Sequence, residues 1–144
     1  MSSSTTKPIP QLRGEERPFF TAAAEGRLAI QRCPECGQAV FFPRTVCPRC
    51  RRGSPEWIDA AGTGMLYSFS VVARSAIPGY SDEVPYVVAL VELDEGVRLM
   101  ANIVNVAPDE VRIGMPVRVT FERRTHEAGE EIAVPQFEPA EGAV

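Results

Sequence analysis

From Gly64 onward, apolar and polar positions alternate in short blocks: Met65 to Arg74, Tyr86 to Leu93, Arg98 to Val106, Val117 to Arg123 and Ile132 to Phe137. A period of two predicts half-buried strands, and five of them with turns and no long helix predict a small closed barrel. Asp94-Glu95-Gly96 supplies a hairpin turn between the second and third strands, with glycine free to adopt positive φ. The stretch from Ala107 to Pro116 predicts a helical turn and a tight corner before the fourth strand. Upstream the pattern changes. Pro18 suits a first helical position, Ala22 to Ala24 favour helix and Gly26 terminates it, so a helix is expected over residues 17 to 25. Leu28 to Arg32, Ala39 to Pro43 and Trp57-Ile58 predict three further short strands.

Those three strands bracket all four cysteines, Cys33-Pro34-Glu35-Cys36-Gly37 and, after ten residues, Cys47-Pro48-Arg49-Cys50. Each Cys-x-x-Cys turn presents two thiolates on one side, and two such turns complete the tetrahedral shell that zinc requires. Pro34 and Gly37 suit a tight knuckle, because one fixes φ and the other tolerates positive φ; the second knuckle has Arg51 where the first has Gly37. Disulfides would need an oxidising compartment, and a redox Cys-x-x-Cys normally stands alone beside a strand-helix-strand pattern. Iron held by four thiolates is chemically open; zinc fits best. With every position filled by protein, no place is left for a reactive water, so the metal is expected to be structural. A ribbon of this size needs its metal to hold itself together. Phe19 and Phe20, about 100° apart on the predicted helix, either both pack on this ribbon or present one ring to a partner.

Composition narrows the class. The 144 residues are 44% hydrophobic and 24% charged, with mean hydropathy -0.08, which fits one globular domain or two very small ones. No stretch approaches the roughly 18 apolar residues of a membrane span, and the start lacks the apolar core of a signal peptide. A soluble cytoplasmic protein is therefore expected. The net charge of -4 hides an asymmetry: residues 13 to 58 carry eight Arg and five Glu (+3), residues 59 to 144 carry six Arg and fourteen acids (-8), and Lys7 adds one. A nucleic-acid binder needs a basic track, and the longer part has the wrong sign.

The strand order, with a helical turn between the third and fourth barrel strands, fits an OB fold. The predicted fold is thus mainly β: an N-terminal helix and rubredoxin-like zinc ribbon over 13–61, a five-stranded OB-fold barrel over 62–137, and disordered segments at 1–12 and 138–144. Leu28 to Gly37, Phe42-Pro43-Arg44, Cys47 to Cys50, Gly62-Thr63-Gly64, Pro85 to Leu93, Glu95-Gly96, Leu99 to Asn102 and Gly114 to Val117 together resemble the acyl-CoA-associated zinc-ribbon/OB-fold family, domain of unknown function 35. The likeness covers about residues 15 to 137. The resemblance implies a non-catalytic accessory subunit. Such proteins accompany thiolase-like enzymes or retro-aldolases, or MaoC-like enoyl-CoA hydratases, stabilising the partner and assisting acyl-CoA binding or transfer. Some relatives serve steroid side-chain degradation. It transfers Cys33, Cys36, Cys47 and Cys50 as zinc ligands and no catalytic residue.

The residues agree with that restraint. His126, the only histidine, falls in a predicted turn, and no cysteine remains as a nucleophile. Asp82-Glu83 and Glu130-Glu131 are sequence neighbours, which a strand sends to opposite faces. Arg44, Arg49, Arg51 and Arg52 surround the second knuckle; Arg49, Arg51 and Arg52 either contact a CoA phosphate bidentately or offset the negative metal site in water. The loop from Ser75 to Pro85, with Ile77 and Tyr80, either meets a partner or simply joins two strands. The alternative function is a single-stranded nucleic-acid-binding module, which both folds provide elsewhere.

Overall fold

A computed structural model describes residues 14–125 and 131–140. After a 3₁₀ turn at Gly14–Glu16, helix α1 spans Arg17–Ala24 with Pro18 in its first turn. It stops in a Schellman motif: Gly26 has φ +82°, its N–H donates to Ala23 O and that of Arg27 to Ala22 O. Strand β1 (Ala29–Arg32) follows and forms the centre of a three-stranded antiparallel sheet, flanked by β2 (Ala39–Val40) and β3 (Glu56–Asp59).

The remaining strands are β4 (Thr63–Val72), β5 (Tyr86–Leu93), β6 (Arg98–Ile103), β7 (Pro116–Thr125) and β8 (Glu131–Pro139). They close into a barrel in the order β4-β5-β6-β8-β7, with a 3₁₀ turn at Pro108–Glu110 between β6 and β7. The parallel contact, Ile103 opposite Phe137, joins the third and fifth barrel strands and closes the Greek-key barrel of an OB fold. The fold is mainly β, as the alternation predicts.

Two corrections concern long-range packing. The sequence groups the helix with the ribbon, but α1 packs chiefly on β8 of the barrel as well as on β1. Phe19, Leu28 and Ile30 consequently share one buried core with Leu66, Val87, Val91, Val117 and Phe137. Glu138 and Pro139, expected in a tail, are the last residues of β8, because Glu138 is held by Asn105 and by Arg118 at 2.9 Å. Segments 1–13 and 141–144, including most of the expected disordered ends, lie outside the described residues.

The junction between ribbon and barrel is stitched by the turn joining β5 and β6 and by β7. A Glu95 carboxylate oxygen accepts the Ala61 N–H at 2.9 Å, Asp94 N–H donates to Thr63 O at 3.0 Å, and Val119 N–H donates to Gly62 O at 2.7 Å. Gly62, at φ +84°, admits this approach: a β-carbon there would lie 2.8 Å from Val119 Cγ1. No helix among the described residues is long and apolar enough to cross a membrane.

Candidate metal centre

The two knuckles are built alike. Cys33 leaves the end of β1, and the Gly37 N–H returns to its carbonyl at 2.8 Å; Cys47 is answered in the same way by the Arg51 N–H at 2.9 Å. The fifth residue of each knuckle takes the left-handed conformation, Gly37 at φ +77° and Arg51 at φ +63°. Cys33 N–H then donates to Gln38 O and Cys47 N–H to Gly53 O, both at 2.9 Å. The second knuckle therefore closes one residue later.

All four Sγ atoms lie within 4.8 Å of one another. Cys33 and Cys50 approach to 3.6 Å, and Cys36 and Cys47 to 3.7 Å. Zinc at about 2.3 Å from each sulfur makes tetrahedral edges of about 3.8 Å, so the thiols fit the ion. Their protonation is tuned by the backbone. The Cys50 N–H, with that of Arg49 behind it, lowers the Cys47 pKa against the effect of burial. The Arg52 and Gly53 N–H groups lower that of Cys50. At Cys36 the Gln38 N–H favours thiolate, but burial and the three neighbouring thiols outweigh it and raise the pKa. Bound there, zinc would supply fixed positive charge; Cys33, Cys36, Cys47 and Cys50 would hold it as thiolates, stabilised by the neighbouring N–H groups.

Two residues that the motif does not reveal complete the setting. Gln31 is 3% exposed, and its amide bonds the Arg44 backbone twice: Nε2 donates to Arg44 O at 3.0 Å and Oε1 accepts the Arg44 N–H at 2.7 Å. This pins the approach to the second knuckle onto β1. Gly53 lies so close to the cluster that a β-carbon would stand 2.3 Å from Cys33 Sγ. A glycine directly after a basic pair was the available sequence signal, but its purpose depends on the other knuckle.

The predicted arginines lie in and beside the second knuckle. Arg44, Arg49, Arg51 and Arg52 are exposed and, among the described residues, make no side-chain ion pair or hydrogen bond. Phe19 is buried and Phe20 half-buried, their rings edge-to-face at 5.1 Å, with Phe41 5.3 Å from Phe19. The outward aromatic is instead Phe42, which is 66% exposed. These rings, with Glu16 and Pro43, line a cavity of about 270 Å³. Ile77 is exposed, whereas the Tyr80 ring packs tilted against Tyr86, centroids 5.3 Å apart, and its hydroxyl accepts a hydrogen bond from Arg124 at 2.6 Å. His126 and Glu130 lie outside the described residues.

Comparison with known proteins agrees with this architecture. Residues 20–56 match the model of the ChsH2 rubredoxin-like zinc ribbon domain, and residues 57–122 that of the ChsH2 C-terminal OB-fold domain. A protein of Thermomonospora curvata named "Probable enoyl-CoA hydratase alpha subunit" is 43% identical over 136 residues, covering 93% of this chain. The chain spans only 40% of that relative's length. A DUF35 domain-containing scaffold protein of Methanocaldococcus jannaschii is 40% identical over 114 residues, 76% of this chain and 79% of the relative. Among solved structures, a chain of the Ltp2-ChsH2(DUF35) aldolase superposes with a TM-score of 0.77 at 41% identity, covering 91% of this chain and 98% of that one. With a four-thiolate ribbon, an OB barrel and these relatives in common, the chain belongs to the DUF35 family of zinc-ribbon/OB-fold proteins.

Proposed function

We propose that this chain is the accessory subunit of a cytoplasmic CoA-thioester enzyme complex, with a thiolase-like protein or a MaoC-like hydratase as the catalytic partner. The observation that carries the reading is the likeness to a chain of the Ltp2-ChsH2(DUF35) aldolase over almost all of that chain. The scaffold name of the archaeal relative and the subunit name of the actinobacterial one support it. The chemistry of the cysteines agrees, since a metal with four protein thiolates has no coordination position open to substrate. In this reading the ribbon holds shape and the partner performs the reaction.

Arg49, Arg51 and Arg52 take the phosphate end of CoA in the assembled complex. Their support is that all three are exposed and unpaired among the described residues, so a bidentate phosphate contact costs no existing ion pair. Alanine at all three is expected to weaken acyl-CoA affinity of the complex. Unchanged affinity would leave them as counter-charges to the metal site.

The primary test is co-expression with the thiolase-like and hydratase-like proteins encoded beside it, followed by co-purification and turnover of CoA thioesters with and without this chain. A retained partner whose activity depends on the chain is the expected result. Failure of every such partner to co-purify or to change in activity would overturn the reading.

A further inference from the structure

The two knuckles are built alike but anchored differently. Cys33 follows β1 directly, and its knuckle leads straight into β2, so the β1–β2 ladder places Cys33 and Cys36. Cys47 and Cys50 lie instead in the long connection between Val40, the end of β2, and Glu56, the start of β3. That connection keeps its own shape through the Arg51 N–H to Cys47 O and the Cys47 N–H to Gly53 O. Neither bond fixes where the knuckle sits relative to Cys33. The edge-to-face contact of Phe41 on Phe19 fixes only the start of the segment. Among the described residues, and apart from the contacts between cysteine sulfurs, the hydrogen bonds that join residues 41–55 to the rest of the chain are the two from the Gln31 amide to Arg44.

Gln31 stands close to both ligand pairs along the chain. It lies two residues before Cys33, in the central strand between Val40 of β2 and Trp57 of β3, and Arg44 lies three residues before Cys47. Three residues of chain reach at most about 11 Å. The carboxamide suits the task because it carries a donor and an acceptor side by side, as a peptide group does, and so pairs with both backbone groups of one residue. A carboxylate would keep the bond from the Arg44 N–H and lose the one to Arg44 O; an apolar side chain would lose both. We infer that Gln31 is a positioning residue for the metal: its amide holds the Cys47–Cys50 pair at the spacing from Cys33 and Cys36 that a tetrahedral ion requires. Bonds made in that arrangement raise the fraction of chains able to take the ion, and apparent affinity rises with that fraction. Residues that support metal ligands from outside the coordination shell typically change affinity by about 10–100-fold.

The test titrates Co²⁺, which reports a tetrahedral thiolate site by its visible absorption, into the reduced, metal-free full chain and its Gln31→Met and Ile103→Val variants, and then displaces it with Zn²⁺. Methionine keeps an unbranched side chain of similar length and removes both hydrogen bonds. Ile103, buried on β6 of the barrel, controls for a general loss of stability. At saturation all three chains are expected to give the same spectrum, because the four thiolates are unchanged. The apparent dissociation constant of Gln31→Met is expected to rise about tenfold or more, and that of Ile103→Val to stay within about twofold. A purely structural role would move both variants in step with their stability, so an equal shift in the two, or wild-type affinity in Gln31→Met, would overturn the assignment. Hydrogen exchange of the zinc-loaded wild type adds a reading that needs no variant. The Arg44 N–H, bonded to Gln31 Oε1, is expected to be protected, whereas the Thr45 and Val46 N–H groups, which make no hydrogen bond among the described residues, exchange freely. Exchange at Arg44 as fast as at Thr45 and Val46 would show that the tether is not formed and would overturn the proposal.

Discussion

Arg51 shows what one residue decides. It stands in the left-handed conformation where the equivalent position of the first knuckle has Gly37. A side chain there costs about 1–2 kcal/mol, part of which glycine's greater unfolded-state freedom cancels. Arg51→Gly is therefore expected to stabilise the zinc-loaded chain by about 0.5–1 kcal/mol, read from denaturant unfolding. Gly53 is the opposite case. Gly53→Ala drives a methyl group against Cys33 Sγ and, at 3.0 Å, against Glu35 Cγ. The expected loss is about 1–3 kcal/mol, with faster zinc release to a chelator than in the wild type. Cys-x-x-Cys spacing is legible because each pair of ligands is local. Gly53 is opaque because its neighbour is twenty residues away in sequence.

At the scale of the element, the end of β8 depends on one carboxylate. Asn105 donates to one Glu138 oxygen and Arg118 to the other, and these contacts, Asn105 first, hold the Glu138 pKa below its ordinary value of 4.5. A carboxyl group lowered in the folded state contributes stability that is fully present above its unfolded pKa and is lost as pH falls through the folded one. Denaturant unfolding followed from pH about 6 to about 3 is expected to show this loss in the wild type. Glu138→Gln begins less stable and shows a shallower acid slope; identical slopes would rule out the clamp. The alternating pattern locates β8 but ends it at Phe137, because the partners of Glu138 lie on other strands.

For the whole molecule, the shared core governs cooperativity. Ile30, fully buried on β1 of the ribbon, packs in the same cluster as Leu66 and Phe137 of the barrel. Ile30→Ala is expected to cost about 2–5 kcal/mol and to lower one common transition rather than a ribbon transition alone. Zinc removal by a chelator should act in the same direction, because losing the metal frees the segment that carries Leu28 and Ile30. Calorimetry before and after chelation checks both: a barrel transition unmoved by zinc loss would show that the two parts are energetically independent. Acid also releases the metal, since protons compete for the thiolates.

The sequence alone determined the ligand set, the helix and its stop, and the succession of three ribbon strands and five barrel strands. Ligand spacing, capping chemistry and a period of two are all encoded within a few residues. Only the tertiary structure decided that α1 lies on β8, that Gln31 tethers Arg44, that Glu138 completes a strand, and that Phe42 rather than Phe19 faces outward. Each depends on which distant surface a local element meets. Burial and hydrogen bonding between segments set that choice, and no local pattern records it.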